Sequence, residues 1–182
     1  MLKGDKVILR AIERQDAERL HKWMNDPEVI RFMGMRFPIS LLAEENWVAQ
    51  EHDPKKELRL AIDTLEGRHI GSCGLGHIDP YTHSAELGVC IGDKEYWSQG
   101  YGTDALVTLC AFGFTQMNLH RISLRVFAEN TRGIRCYEKV GFQHEGTLRE
   151  DVYKNGRYHN LLVMGILVHE FAELWPQRWP ED

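Results

Sequence analysis

The run YWSQGYGTDAL, residues 96–106, sets two glycines, Gly100 and Gly102, at the mouth of a helix, where each costs about 1 kcal/mol relative to alanine. A tight turn is one explanation. The other is the close approach of a ligand's phosphates. The first N–H groups of a helix have no partner one turn back, the helix dipole favours an anion there, and glycine removes the Cβ atoms that would hold a diphosphate away. The run is not a Walker loop, since no Lys-Ser or Lys-Thr follows. Nor is it G-x-G-x-x-G, since Ala105 stands where the third glycine would be. The four cysteines, Cys73, Cys90, Cys110 and Cys136, form no C-x-x-C pair and read as buried free thiols. His77, His83, His120, His144, His159 and His169 show no H-x-x-x-H or H-E-x-x-H spacing, so no metal site is expected.

A glycine pair can do this work only on a frame that holds it. The 182 residues suit one domain covering 1–182, and 43% hydrophobic with 27% charged residues is globular usage that excludes disordered and fibrous chains. A net charge of -5 without clustered Lys and Arg argues against nucleic acid as a partner. The opening MLKGDKVILRAIERQD turns charged too early for a signal peptide, and no apolar run approaches the roughly 20 residues that span a bilayer. A cytoplasmic protein without membrane contact is expected, and a homodimer is left open.

Periodicity predicts strands and helices in alternation. A strand over 6–12 is followed by a helix over 16–24 with Leu20, Trp23 and Met24 inward, and a turn at Asp26 and Pro27 leads into a further helical turn. A helix then runs from a partial capping signal at Ser40 to residue 51, with Leu41, Leu42 and Trp47 on its apolar side. Strands at 58–64, 69–78 and 84–91, with a turn at Glu66 and Gly67, form an antiparallel meander. A helix from about 103 to 117 and a strand at 121–127 complete a β-α-β unit. Asn130 and Thr131 open a helix that ends at Gly141, and strands at 142–152 and 158–168 flank an Asn155-Gly156 hairpin turn. The expected fold is α+β, a mostly antiparallel twisted sheet with helices on both faces.

QGYGTDAL followed one strand later by NTRGIRCYEKVGF, residues 130–142, resembles the GNAT superfamily of N-acetyltransferases. ILRAIERQDAERLHKWMNDPEVIRFM and EGTLREDVYKNGRYHNLLVMGIL look like its RimJ/RimL-type branch, which acetylates ribosomal-protein N-termini, so the resemblance covers nearly the whole chain. It implies a single GNAT-like domain that takes acetyl-CoA as co-substrate and an amine as acceptor. Coenzyme contacts are implied at Val89, Cys90, Ile91, Ser98, Gln99, Gly100, Tyr101, Gly102, Thr103 and Asn130. The sequence departs from the family pattern at three positions: Trp97 where Gln or Arg is usual, Gly133 where that branch commonly has serine, and Asn160 where it often has aspartate.

An amine must be neutral to attack a thioester, and the departing thiolate must be protonated or stabilised. Free thiols titrate at about 8.5 and tyrosine at about 10, so a tyrosine can donate to sulfur at neutral pH. The resemblance puts Tyr137 in the acid's position and Glu86 in that of a general base acting through water. Each has a plainer reading: Tyr137 as an aromatic packing a helix on the sheet, Glu86 as a solvent-facing charge. Period-two alternation puts Glu86, Gly88 and Cys90 on one face of their strand and Leu87, Val89 and Ile91 on the other. The acceptor is a protein N-terminus, a polyamine or another small amine, and a catalytically silent acyl-CoA-binding module is the alternative to an enzyme. Residues 24–40 and the strand pair around 153–160 are expected to shape the acceptor pocket. Phe32, Phe37 and Trp47 read first as core and second as its apolar wall. Glu28, Glu44 and Glu45 would attract a cationic amine, or else are solvated helix charges.

Overall fold

The computed structural model describes residues 1–51 and 53–179. Eight strands form one sheet: β1 (Leu2–Lys3), β2 (Val7–Ala11), β3 (Leu58–Thr64), β4 (His69–Asp79), β5 (Ser84–Ile91), β6 (Arg121–Phe127), β7 (Gln143–Lys154) and β8 (Arg157–Leu167). Their order is β1-β2-β3-β4-β5-β6-β8-β7, antiparallel throughout except for the β5–β6 pair. Five α-helices accompany them: α1 (Ala17–Met24), α2 (Leu41–Ala49), α3 (Tyr101–Thr115), α4 (Thr131–Val140) and α5 (Val168–Leu174). The expected α+β class, meander and β-α-β unit are all present. None of the helices among the described residues is long and apolar enough to cross a membrane.

The sheet has a core on each face. On one, α3 buries Leu106, Leu109, Cys110 and Phe114 against Val7, Leu9, Leu75 and Ile122. So many inward positions make α3 a central helix, and each fully buried side chain of this size contributes about 1.5–3 kcal/mol. On the other face α1 packs Leu20, Trp23 and Met24 against Ile12, Val48 and Cys90. The alternation along β5 follows: Leu87, Val89 and Ile91 join the α3 core, whereas Cys90 meets the α1 cluster.

Three elements differ from expectation. Ser40 does cap α2, its Oγ accepting from the Ala43 N–H at 3.1 Å, but Leu42 is 65% exposed and Leu41 also lies in solvent, while Glu44 is 6% exposed. Docking on α1 turns Glu44 inward, and burial pushes its carboxyl up, with His21 partly offsetting it. Beyond the predicted elements, the edge strand β1 and the helix α5 are present, both too short for the hydrophobic pattern to reveal. The Asn155-Gly156 turn forms as expected, both residues at positive φ (51° and 80°) and Lys154 paired with Arg157.

Beneath α1 lies a cluster of buried charge. The Arg10 guanidinium donates to Asp16 at 2.7 and 2.9 Å and to Asp63 at 2.7 Å, the Glu13 N–H donates to Asp16 at 2.8 Å, and the His69 Nδ1 stands 3.2 Å from Asp16. Burial pushes the Asp16 carboxyl up, but the Arg10 and Glu13 hydrogen bonds with the His69 and Arg10 charges outweigh it and hold the group below its usual range. Removing one partner of such a group leaves the other charge buried and unpaired. Asp16→Ala is therefore expected to lower the free energy of unfolding by about 3–5 kcal/mol at pH 7, read from urea denaturation. Because the folded carboxyl titrates below its unfolded value of about 3.9, the parent's advantage is present above that pH and shrinks as pH falls below it. A difference that stays constant from pH 7 to pH 3 would rule this origin out.

Candidate active site

The parallel ladder joins residues 84–86 of β5 to residues 121–123 of β6 and then stops. Beyond it β5 continues along β4 to Ile91, and β6 along β8 to Phe127, so the strands part. A cleft of about 1030 Å³ opens between them, bordered by the start of α3, by α4 and by the segment after α1. Glu86 sits on the last rung, opposite Ser123, and its carboxylate faces Arg125 at 4.0 Å.

The glycine loop forms one end of this cleft. Gly100 is the N-cap of α3 at φ 88°, a left-handed conformation that a side chain would strain, and Ser98 also has positive φ (60°). The first helical bond through the loop runs from the Asp104 N–H to the Gly100 carbonyl at 3.0 Å, so the N–H groups before it are free of helical partners. Asp104 itself serves the scaffold: its carboxylate accepts from the backbone N–H groups of Asp5, Lys6 and Val7 at 3.1, 2.7 and 3.0 Å and so fixes the first turn of α3 to β2. Lys6 reaches across to the Gln99 carbonyl at 3.0 Å, which brings an ammonium to the loop.

Nearly all of the residues singled out in the sequence converge here. Glu86, Val89, Cys90, Ile91, Ser98, Gly100, Gly102, Thr103, Asn130 and Tyr137 line the cleft. Gln99 and Tyr101 do not: the Gln99 amide turns back to the Glu95 carbonyl, and the Tyr101 ring packs edge-on to Tyr96 at 5.0 Å. Thr103 Oγ1 and Cys136 Sγ, 3.3 Å apart, join α3 to α4. Asn130 caps α4, its Oδ1 accepting from the Gly133 N–H at 3.1 Å. A Cβ on Gly133 would stand 2.6 Å from the Asn130 amide, which explains glycine at that position.

Tyr137 is half-buried beside Cys136 and Cys90, and desolvation raises its pKa well above the ordinary tyrosine value, so the hydroxyl keeps its proton at neutral pH. Burial likewise pushes the Cys90 thiol up to about 12. Cys90 and Cys136 are only half-buried, unlike Cys73 and Cys110, and both line the cleft while packing against a core.

Arg132 lines the cleft and carried no sequence signal. Trp97 donates its indole N–H to the Ile91 carbonyl at 2.6 Å and stacks under the Arg132 guanidinium, 3.8 Å from the ring centre. The position that departs from the family pattern thus anchors a cation supplied by α4. Phe32 and Trp47 line the cleft and are not core; Phe37 is exposed and does not line it. Asn160 is not a lining residue, and its Oδ1 accepts from the Glu150 N–H at 2.8 Å, holding the bulge of β7. Glu28 lines the cleft, whereas Glu44 and Glu45 do not.

The acetyltransferase (GNAT) domain family matches residues 6–143. An uncharacterised N-acetyltransferase p20 of Bacillus licheniformis is 31% identical over 172 residues, covering 92% of this chain and 96% of that protein. The spermidine N(1)-acetyltransferase of Escherichia coli K12 is 30% identical over 171 residues, covering 94% and 91%. Among solved structures, the spermidine N-acetyltransferase of Vibrio cholerae in complex with CoA and spermine superposes with a TM-score of 0.85 at 28% identity, covering 91% of this chain and 97% of that one. The expectation of the RimJ/RimL-type branch is carried by these matches only as far as the family.

The loop's geometry suits a diphosphate, with free N–H groups, Lys6 and Arg132 around it. A Cβ on Gly102 would meet only Cys136 Sγ and Ile91 Cγ1, both at an ordinary 3.7 Å, so alanine fits the folded chain while narrowing the cleft. Gly102→Ala is expected to leave the melting temperature within a few degrees and to weaken acetyl-CoA binding about tenfold, equivalent to about 1.4 kcal/mol. Calorimetric titration decides it, and unchanged affinity in the folded variant would remove Gly102 from the cradle.

Proposed function

Since the chain belongs to the GNAT acetyltransferase family, whose members transfer an acetyl group from acetyl-CoA to nitrogen, we propose that its acceptor is a polyamine of the spermidine class. The observation that carries this reading is the wall of the cleft. Three carboxylates, Glu28, Glu57 and Glu86, line it together with the rings of Phe32 and Trp47. Each carboxylate is held by a cation of the chain: Lys94 at 2.9 Å on Glu28, Arg59 at 2.6 Å on Glu57 and Arg125 at 4.0 Å on Glu86. Partly solvated pairs of this kind contribute little, so the spaced ammonium groups of a polyamine can exchange for them. The resemblance to spermidine N-acetyltransferases over more than nine-tenths of the chain supports the same acceptor.

The chain's residues divide the chemistry as follows. An aliphatic amine is protonated at neutral pH, with a pKa near that of lysine at about 10.4. Glu86, at the fork where the strands part, takes a proton from it through water. Tyr137, its hydroxyl kept protonated by burial, donates to the departing sulfur. The C–N bond forms as the C–S bond breaks; the ammonium nitrogen gives up two protons, of which the sulfur takes one and solvent the other. The α3 N-terminus, Lys6 and Arg132 hold and orient the coenzyme.

Release of free thiol from acetyl-CoA, measured with spermidine, spermine, monoamines and peptides, tests the acceptor. Polyamine-dependent release supports the proposal; release with peptides alone moves the acceptor to protein N-termini, and acetyl-CoA binding without release by any amine makes the protein a silent coenzyme-binding module. In the same assay Tyr137→Phe, which keeps the ring, should lower turnover by about 10²- to 10⁴-fold with acetyl-CoA affinity unchanged. Turnover within a few-fold of the parent would return Tyr137 to a packing role. Glu86→Gln should cost most at low pH and recover as pH rises toward the acceptor's own pKa and the amine deprotonates unaided. An equal loss at every pH would mark Glu86 as structural.

A further inference from the structure

We propose that Lys154 is a positioning residue for the acceptor, setting the wall of the cleft from the far end of the chain. Its ammonium donates to the carbonyl oxygens of Ile30 at 2.6 Å and Met33 at 2.7 Å, respectively 124 and 121 residues away in sequence. These carbonyls belong to the 3₁₀ turn Val29–Phe32 and the residue that ends it, and Val29, Phe32, Met33 and Gly34 line the cleft. Lys154 is 8% exposed, and none of the ion pairs among the described residues includes it. A buried ammonium bonded to two main-chain carbonyls is costly to place, and what it gains here is the position of a loop.

The loop is otherwise held at its ends. The Asn25 side chain brackets Ile39, donating to its carbonyl at 2.9 Å and accepting from its N–H at 3.0 Å, while Lys94 ties Asp26 at 2.8 Å and Glu28 at 2.9 Å. Lys154 is the tie at its middle. The hairpin that carries it is itself braced, with His159 against the Lys154 carbonyl at 3.1 Å and against Phe127, whose ring in turn meets Phe32. Val152, two residues before Lys154, lines the same cleft. One ammonium thereby fixes the distance between the hairpin wall and the Phe32 wall, the two surfaces between which an acceptor chain must pass.

The role concerns the acceptor and not the coenzyme, and it rests on the acyl-transfer reading above. Lys154→Met keeps the stem and removes the donor; Lys154→Arg restores one. In the Met variant the KM for the amine should rise about tenfold or more, with the KM for acetyl-CoA and the thermal stabilisation by acetyl-CoA within twofold of the parent. The Arg variant should recover part of the loss. Hydrogen exchange of the backbone over residues 29–34 should quicken in the Met variant and not over α3 or α4, and this arm needs no turnover. An equal fall for amine and coenzyme, or unaltered exchange at 29–34 in the Met variant, would overturn the proposal. A parent that acetylates no amine would strike the acyl-transfer reading while leaving the exchange measurement to decide whether Lys154 holds the loop. Should the Met variant fail to fold, the Arg variant decides instead, and parent-like exchange with a raised amine KM would then place the effect outside the loop.

Discussion

A parallel ladder that ends after three rungs, at Glu86 and Ser123, governs the rest of the molecule. Strand backbone without a neighbour carries donors and acceptors that must be satisfied elsewhere, and a sheet normally avoids such a gap in its middle. Here both halves are fully paired on their outer sides, β5 along β4 and β6 along β8, so the fork is rigid and not frayed. The chain itself satisfies one group at its mouth, through the indole of Trp97 on the Ile91 carbonyl. The others face a cleft in which an extended ligand can supply what a strand would have supplied. The same fork places Glu86 at its vertex.

Keeping that fork open while closing its surroundings takes ties between segments that are distant in sequence. Asp104 gathers three backbone N–H groups of the N-terminal turn, Thr103 meets Cys136, Asn130 caps α4, and Lys94 and Lys154 hold the segment after α1. In the ties made by Asp104, Asn130 and Lys154 a charged or polar side chain satisfies main-chain groups that have no sheet or helix partner, whereas Thr103–Cys136 and Lys94 join side chain to side chain. The ties made by Asp104 and Lys154 run from a regular element to irregular chain, which lets a rigid scaffold impose position on loops.

The cluster of Arg10, Asp16, Asp63 and His69 does comparable work under α1. It is a poor source of net stability against an apolar core of the same shape, since both signs of charge must be desolvated. What it supplies is direction. Arg10 on β2 forks to Asp16 at the start of α1 and to Asp63 on β3, so the helix cannot slide along the sheet without unpairing a buried charge. Through Trp23, which packs edge-on to His69, the cluster also seats α1 behind the cleft.

Much of the frame was legible in the residues because its signals are local. The Asn155-Gly156 turn, the Gly141 stop, the Asn130 cap and the glycine pair before α3 each act through backbone geometry within a few positions, and alternation along β5 assigned its two faces correctly. What the chain order could not show was which distant groups would meet. The exposed apolar side of α2, the stacking of Arg132 on Trp97 and the burial of Lys154 against two carbonyls more than a hundred residues away depend on how the sheet is ordered and which helix docks where. The sequence by itself determined most of the elements, the glycine cradle and the family resemblance. The tertiary structure alone decided which charges stand in the cleft and what holds its walls apart, because desolvation and hydrogen-bond satisfaction are set by three-dimensional neighbours and not by spacing along the chain.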